Sequence, residues 1–157
     1  MDGACRIGGG IAALLAAGLV VVWAWGCAAA RPTGLGVAEG RLAPCPDSPN
    51  CVSSQAPPES ERHVAPLEWS GDANRAWQRA RAAALSLEGA QLVVERPGYL
   101  HVEVTTAWMR FVDDLELALD GAAGRIDVRS ASRIGHSDLG ANRRRVEALR
   151  AAFLSAE

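Results

Sequence analysis

Lysine is absent from the sequence, and all sixteen basic residues are arginine. A GC-rich coding bias accounts for that choice. The chemistry still differs, because every cation is then a planar, permanently charged fork suited to carboxylate or phosphate. Neither sign of charge is in excess: the formal net charge is −2, which leaves no global field to steer the chain towards nucleic acid. Aromatics make up only 5% of the residues. The core must therefore come mainly from Val, Leu, Ile and Ala, with Trp69, Trp77, Trp108 and Phe111 as its few large anchors. The chain also lacks a nucleophile elbow, a phosphate-cradling glycine loop and a specific His-Asp-Ser spacing. No Cys-x-x-Cys pair occurs, which argues against a redox-active dithiol.

What is present begins with an export segment. Arg6 precedes an apolar run from Ile7 to about Ala30, interrupted only by glycines. That run is long enough to span a bilayer and has the layout of a signal peptide. Ala24-Trp25-Gly26-Cys27 resembles a lipoprotein lipobox, with Cys27 as the lipidation site. Ala28-Ala29-Ala30 offers ordinary cleavage, and the run could also stay as an uncleaved anchor. All three readings attach the chain to, or send it across, a membrane and place the rest outside the cytoplasm. Of the four cysteines, Cys5 and Cys27 fall in this segment, leaving Cys45 and Cys51 in CPDSPNC. In an oxidising compartment that pair reads as a disulfide closing a short loop, with at most about 2–3 kcal/mol of stabilisation. Cys-x5-Cys without a second ligand pair gives no metal site. The chain divides into residues 1–30 (signal or anchor), 31–44 (a flexible tether) and 45–157 (a folded domain).

Within the domain, 63–67 is a candidate short edge strand. Asp72 is the natural N-cap of a helix reaching about Leu87, with Gly89 as its stop and an apolar stripe anchored by Trp77. Four strands follow: 91–96, reversing at Pro97-Gly98 into 99–106, then about 110–119 and 125–134. His101 alternates with charged neighbours and reads as a solvated histidine. Alternation pairs Leu119 with Ile126 and Leu117 with Val128 on a core face, and sets Glu116 opposite Arg129 on the outer face. The same register puts Asp113 opposite Ser132 on the inner face. A last helix, capped by Ser137 or Asp138, runs to about Leu154 with Leu139, Val146, Leu149 and Phe153 as its apolar stripe. Asn142 falls within that stripe. The expectation is an α+β domain: one antiparallel sheet in the order β-α-β-β-β-β-α, both helices on one face, similar in topology to TATA-binding-protein-like and helix-grip folds.

Asp113, Ser130, Ser132, Asn142 and Arg143 should converge where the last helix begins. Read structurally, they form a buried network pinning the loop before that helix. Read functionally, a helix start beside Arg129, Arg133, His136, Asp138 and Arg143 is an anion pocket. Asp113 and Asp114 point to opposite faces and cannot easily act as a catalytic pair.

Three stretches carry a family resemblance: Cys45-Pro46-x-x-Pro49-Asn50-Cys51-Val52-Ser53, Phe111 to Glu116, and Arg129 to Arg143. From about Leu42 onwards the chain resembles the domain of unknown function 1499 family. The resemblance implies a bacterial envelope or plastid setting and supplies no catalytic roles. His136 stands where an aromatic such as Tyr is common in the family, so no proton-transfer role carries over to it. The favoured reading is a non-catalytic, membrane-tethered periplasmic domain that binds a protein partner or a small anionic ligand, without cofactor, metal or nucleic acid. The alternatives are a carrier of a lipid or other hydrophobic ligand between sheet and last helix, and a hydrolase-like enzyme using Asp113.

Overall fold

The computed structural model describes residues 30–156; the export segment and Cys27 lie outside the described residues. Among the described residues, no helix is long and apolar enough to cross a membrane.

The fold is α+β. In chain order, β1 (Val37–Ala38), β2 (Arg41–Leu42), β3 (Cys51–Ser53) and β4 (Leu67–Glu68) precede α1 (Ala73–Leu85). Next come β5 (Ala90–Arg96), β6 (Tyr99–Thr105), β7 (Val112–Asp120), β8 (Arg125–Ser132) and α2 (Ala141–Ser155). There are two sheets rather than the single one expected. β1 and β2 form a two-stranded ribbon, and the other strands form a six-stranded sheet in the order β3-β8-β7-β6-β5, with β4 also on β8. The ribbon reverses through Glu39 and Gly40, both at positive φ (52° and 75°), as a two-residue hairpin of matching twist requires.

The β7–β8 register is the expected one: Leu119 faces Ile126, Leu117 faces Val128, Glu116 faces Arg129 and Asp113 faces Ser132. Both helices contribute to one core with the inner face. Trp77, Ala80 and Ala84 of α1 and Val146, Leu149 and Phe153 of α2 cluster with Leu100, Val102, Leu115, Leu117 and Val128. Small residues let α1 lie close to the sheet, and its Asp72 cap accepts from the Arg75 N–H at 2.8 Å. Leu139 does not join the α2 stripe. It sits before the helix at φ 52° and is 86% exposed.

The outer face is not solvated. Residues 31–44, expected to be a free tether, run across it: Arg31 bonds Glu103, the Gly36 N–H donates to Glu116 Oε1 at 2.8 Å, and Leu42 packs with Tyr99 and Ala118. His101, read as solvated, is 1% exposed. The disulfide Cys45–Cys51, with a Cα separation of 5.6 Å, joins the end of this strap to β3.

Gly89, at φ 75°, brings the end of the α1–β5 turn against β6, and a Cβ there would lie 2.2 Å from the Thr105 carbonyl oxygen. Gly89→Ala is expected to lower the unfolding free energy by at least about 2 kcal/mol in urea titration, since backbone must move. Gly121, with open space around its Cβ position, should tolerate Ala with little change.

Candidate functional site

Two polar constellations lie back to back on the β7–β8 hairpin, one on each face. On the inner face Asn142, fully buried in the first turn of α2, is the hub. Its amide nitrogen faces three acceptors: Asn50 O at 2.9 Å, Ser132 Oγ at 2.9 Å and Asp138 Oδ2 at 2.8 Å. Its Oδ1 accepts from Ser130 Oγ and from Arg145 Nη1, both at 2.6 Å. Arg145 then reaches Asp113 Oδ2 through Nη2. Asp113 and Asn142 are thus brought together, with Arg145 as the bridge between them.

Arg145, not Arg143, is the cation of this cluster. It lies three residues after Asn142, hence on the same helix face; Arg143, one residue on, is rotated away. Asn50 was also missed. Its Nδ2 donates to Gly135 O at 2.6 Å and its carbonyl accepts the Ser132 N–H at 3.0 Å. The neighbouring disulfide at Cys51 holds it beside the loop before α2. The only sequence pointer to Asn50 was its place in the Cys45–Cys51 motif.

Gly140 stands at the N-cap with no side-chain cap bond of its own, and Asp138 supplies the capping carboxylate. Its oxygens accept from the Gly140 N–H at 3.0 Å and the Asn142 N–H at 2.7 Å. Burial pushes the Asp138 carboxyl up, but these backbone donors outweigh it and hold the group below the usual carboxylate value. The helix start is therefore already occupied by a carboxylate, and an external anion would have to displace it.

Arg129 and Arg133 do not join this cluster. Each alternates with Ser130 and Ser132 and so projects to the outer face. There, Glu116, fully buried, accepts from Arg129 Nη1 at 3.0 Å, Tyr99 Oη at 2.8 Å and the Gly36 N–H. Asp114 takes Arg133 at 2.9 Å (Nε) and 2.7 Å (Nη2), together with His101 Nε2 at 2.7 Å. Arg133 also reaches Glu103, which Arg31 holds from the strap. Burial raises the tendency of Asp114 to stay neutral, yet the bonds from Arg133 and His101 prevail and its carboxyl sits below the ordinary range. Glu103 is lowered likewise, against burial, by Arg133 and Arg31. Tyr99 is pushed well up, first by burial and then by Glu116, so it stays a neutral donor.

His136 is exposed. Arg143 is exposed on the other side of α2 and donates through Nη2 to Glu61 O and to His63 O, the latter at 3.0 Å. Arg143, Arg62, Ser60, Ser137 and Asp138 line a cleft of about 430 Å³ beside the helix start. Among the described residues, no group of three or more His, Cys, Asp or Glu is arranged to hold a metal ion.

Asn142→Ala strips partners from buried Ser130 and Ser132 and from the Asn50 carbonyl, and should cost about 2–4 kcal/mol in urea denaturation. A wild-type melting curve would contradict its role as hub. The outer network gives a pH dependence. Asp114 and Glu103 ionise at lower pH folded than unfolded, so their stabilisation is present above about pH 4 and is lost as pH falls through the folded-state values. Asp114→Asn should lower stability at neutral pH by about 3–5 kcal/mol and flatten that acid limb. Both are read from urea midpoints across pH, and an unchanged acid limb would refute the assignment.

The model of a family described as "Protein of unknown function (DUF1499)" matches residues 41–153. No curated protein matches the chain. The match spans the disulfide loop, the cleft and both polar constellations apart from the strap residues Arg31 and Gly36, and on it the chain belongs to the DUF1499 family of proteins of unknown function.

Proposed function

We propose that this chain is a membrane-attached domain of the bacterial envelope, held by its N-terminal segment, that binds a small anionic ligand or an acidic group of a partner rather than catalysing a reaction. The observation that carries the reading is the cleft beside α2, fronted by two guanidiniums, Arg62 and Arg143. Each donates through Nη2 to backbone carbonyls, of Asp47 for Arg62 and of Glu61 and His63 for Arg143. Those bonds fix the forks without neutralising their charge, as recognition of carboxylate or phosphate requires. Arg62 Nε is in addition a buried donor with no hydrogen-bond partner among the described residues. Glu61 and Asp138 also line the cleft, which favours a ligand bearing one anionic group over a polyanion.

Catalysis by Asp113 has little support, because its carboxylate is buried and closed by Arg145. A carrier is equally poorly supported. Leu115, Leu117, Val128, Val146 and Leu149 fill the space between sheet and α2 with no exposure. The disulfide supports an oxidising compartment, hence an extracytoplasmic location. The succession from β4 to α2 is in our reading TATA-binding-protein-like or helix-grip-like, a topological likeness with no functional weight.

Inorganic phosphate and glycerol phosphate serve as probes on the full chain in detergent. Either should raise the melting temperature, by an amount equivalent to about 2.7 kcal/mol at a hundredfold excess over Kd. Arg143→Gln and Arg62→Gln should each abolish most of that rise. A shift of wild-type size in both variants would move the site elsewhere, and no shift in wild type with either probe would remove the anion reading.

A further inference from the structure

One end of the domain exposes apolar side chains that no intramolecular contact explains. Between β6 and β7, Trp108 is 93% exposed and Met109 38%, and Leu139 before α2 is 86% exposed. The two loops are neighbours: Thr106 and Ala107 line one groove together with Ala141 and Arg144. The first loop is a closed structure. The Thr106 N–H donates to Phe111 O at 2.9 Å, the Arg110 N–H to Thr106 O at 3.1 Å, and the Phe111 N–H to Thr106 Oγ1 at 2.9 Å. It therefore presents its tip outward. Leu139 and Arg110 are held at φ 52° and 55°, conformations that non-glycine residues adopt at an energetic cost. Arg110 and Arg144 are exposed around this tip, against a single carboxylate, Glu88, on the rim of the shared groove.

The chain enters the domain at the same end. Arg31 is fixed to Glu103, two residues before β6 gives way to the Trp108 loop, and Glu103 is shared with Arg133, which leads into the loop carrying Leu139. From there the strap runs away along the outer face to Gly36 at Glu116 and Leu42 at Tyr99. Arg31 lies four positions after Cys27, at most about 14 Å of chain, and the apolar run from Ile7 to Ala30 lies immediately before. The protruding Trp, Met and Leu thus sit at the end of the domain where the chain arrives from its N-terminal apolar run.

We propose that this end of the domain rests on the bilayer that holds the N-terminal segment, with Trp108, Met109 and Leu139 in the interface and Arg110 and Arg144 against anionic headgroups. An indole ring beside aliphatic tips and guanidiniums matches the headgroup region, where an apolar body and a polar edge are both satisfied. Each arginine near an anionic surface adds electrostatic attraction to it. The inference rests on the membrane-attached reading of residues 1–30. It adds that the domain lies down on its Trp108 end and does not hang free, which leaves the Arg62–Arg143 cleft outside the contact.

The test uses the full chain reconstituted in vesicles of phosphatidylglycerol and phosphatidylcholine, with and without bromine on the upper acyl chain. Emission of Trp108→Phe is subtracted from that of wild type, which removes the other four tryptophans. The Trp108 component should be blue-shifted and quenched by roughly half in brominated vesicles. In Arg110→Gln/Arg144→Gln the quenching should fall at least twofold. A chain that floats with the vesicles while its Trp108 component stays unshifted and unquenched overturns the proposal and leaves the attachment intact. A chain that does not float with the vesicles overturns both.

Discussion

The pairing of β7 with β8 is the constraint on which the molecule depends. One register sets Glu116 against Arg129 on one face and Asp113 against Ser132 on the other. Because side chains alternate, a slip by one residue would carry Leu115, Leu117, Ile126 and Val128 out of the core. It would at the same time drive Asp114 and Glu116 into that core without their arginines. Hydrophobic burial and charge pairing therefore select the same register, and each penalises the alternative that the other forbids.

Burying both faces of that hairpin changes what the polar residues do. On an open sheet the Glu116–Arg129 pair would be a screened surface contact worth little. Under the strap both partners are dehydrated, with 0% and 7% exposure. Removing either would strand a charge in the interior, a far larger loss than the pair's net contribution. The strap in turn is held by what it covers. It brings Arg31 to Glu103 and the Gly36 N–H to Glu116, and the disulfide at its far end ties Cys45 to the edge strand β3.

This two-way dependence explains how much could be read in advance. The β5 to β8 strands were legible because period-two alternation and the Pro97-Gly98 reversal are local signals. The start of α1 followed from Asp72, while the helix stops at Leu85, two residues before the Leu87 expected from Gly89. The inner cluster was legible through Asp113 and Asn142, each polar at a position where periodicity demanded an apolar residue. What escaped was whatever depends on backbone groups or on distant chain. The strap has no periodicity, and its key bond is made by a glycine N–H, which leaves no mark in a sequence. With the strap unseen, His101 and Glu116 looked like solvent-facing residues. The Arg143–Arg145 run hid its inward member, which only the three-residue offset from Asn142 singles out. Two short strands, β1 and β2, were lost with the strap, and the single sheet became two.

The same geometry separates residues that maintain the fold from those free to recognise something. Asp113, Asn142 and Arg145 on one face are bonded together, and Asp114 and Glu116 on the other are bonded to Arg133, His101, Arg129 and Tyr99. A ligand drawn to any of them would have to break bonds already made in a dry interior. Asp138 is committed in another way: it has taken the helix start that an anion would otherwise use. That leaves arginines whose forks are positioned by carbonyls, which orient a cation without cancelling it. Arg62 and Arg143 meet that description beside α2. The arginines at the Trp108 end face outward where the chain enters. The proposed recognition therefore falls to the arginine-bearing margins of the domain, while the carboxylates that first draw the eye hold the sheet together.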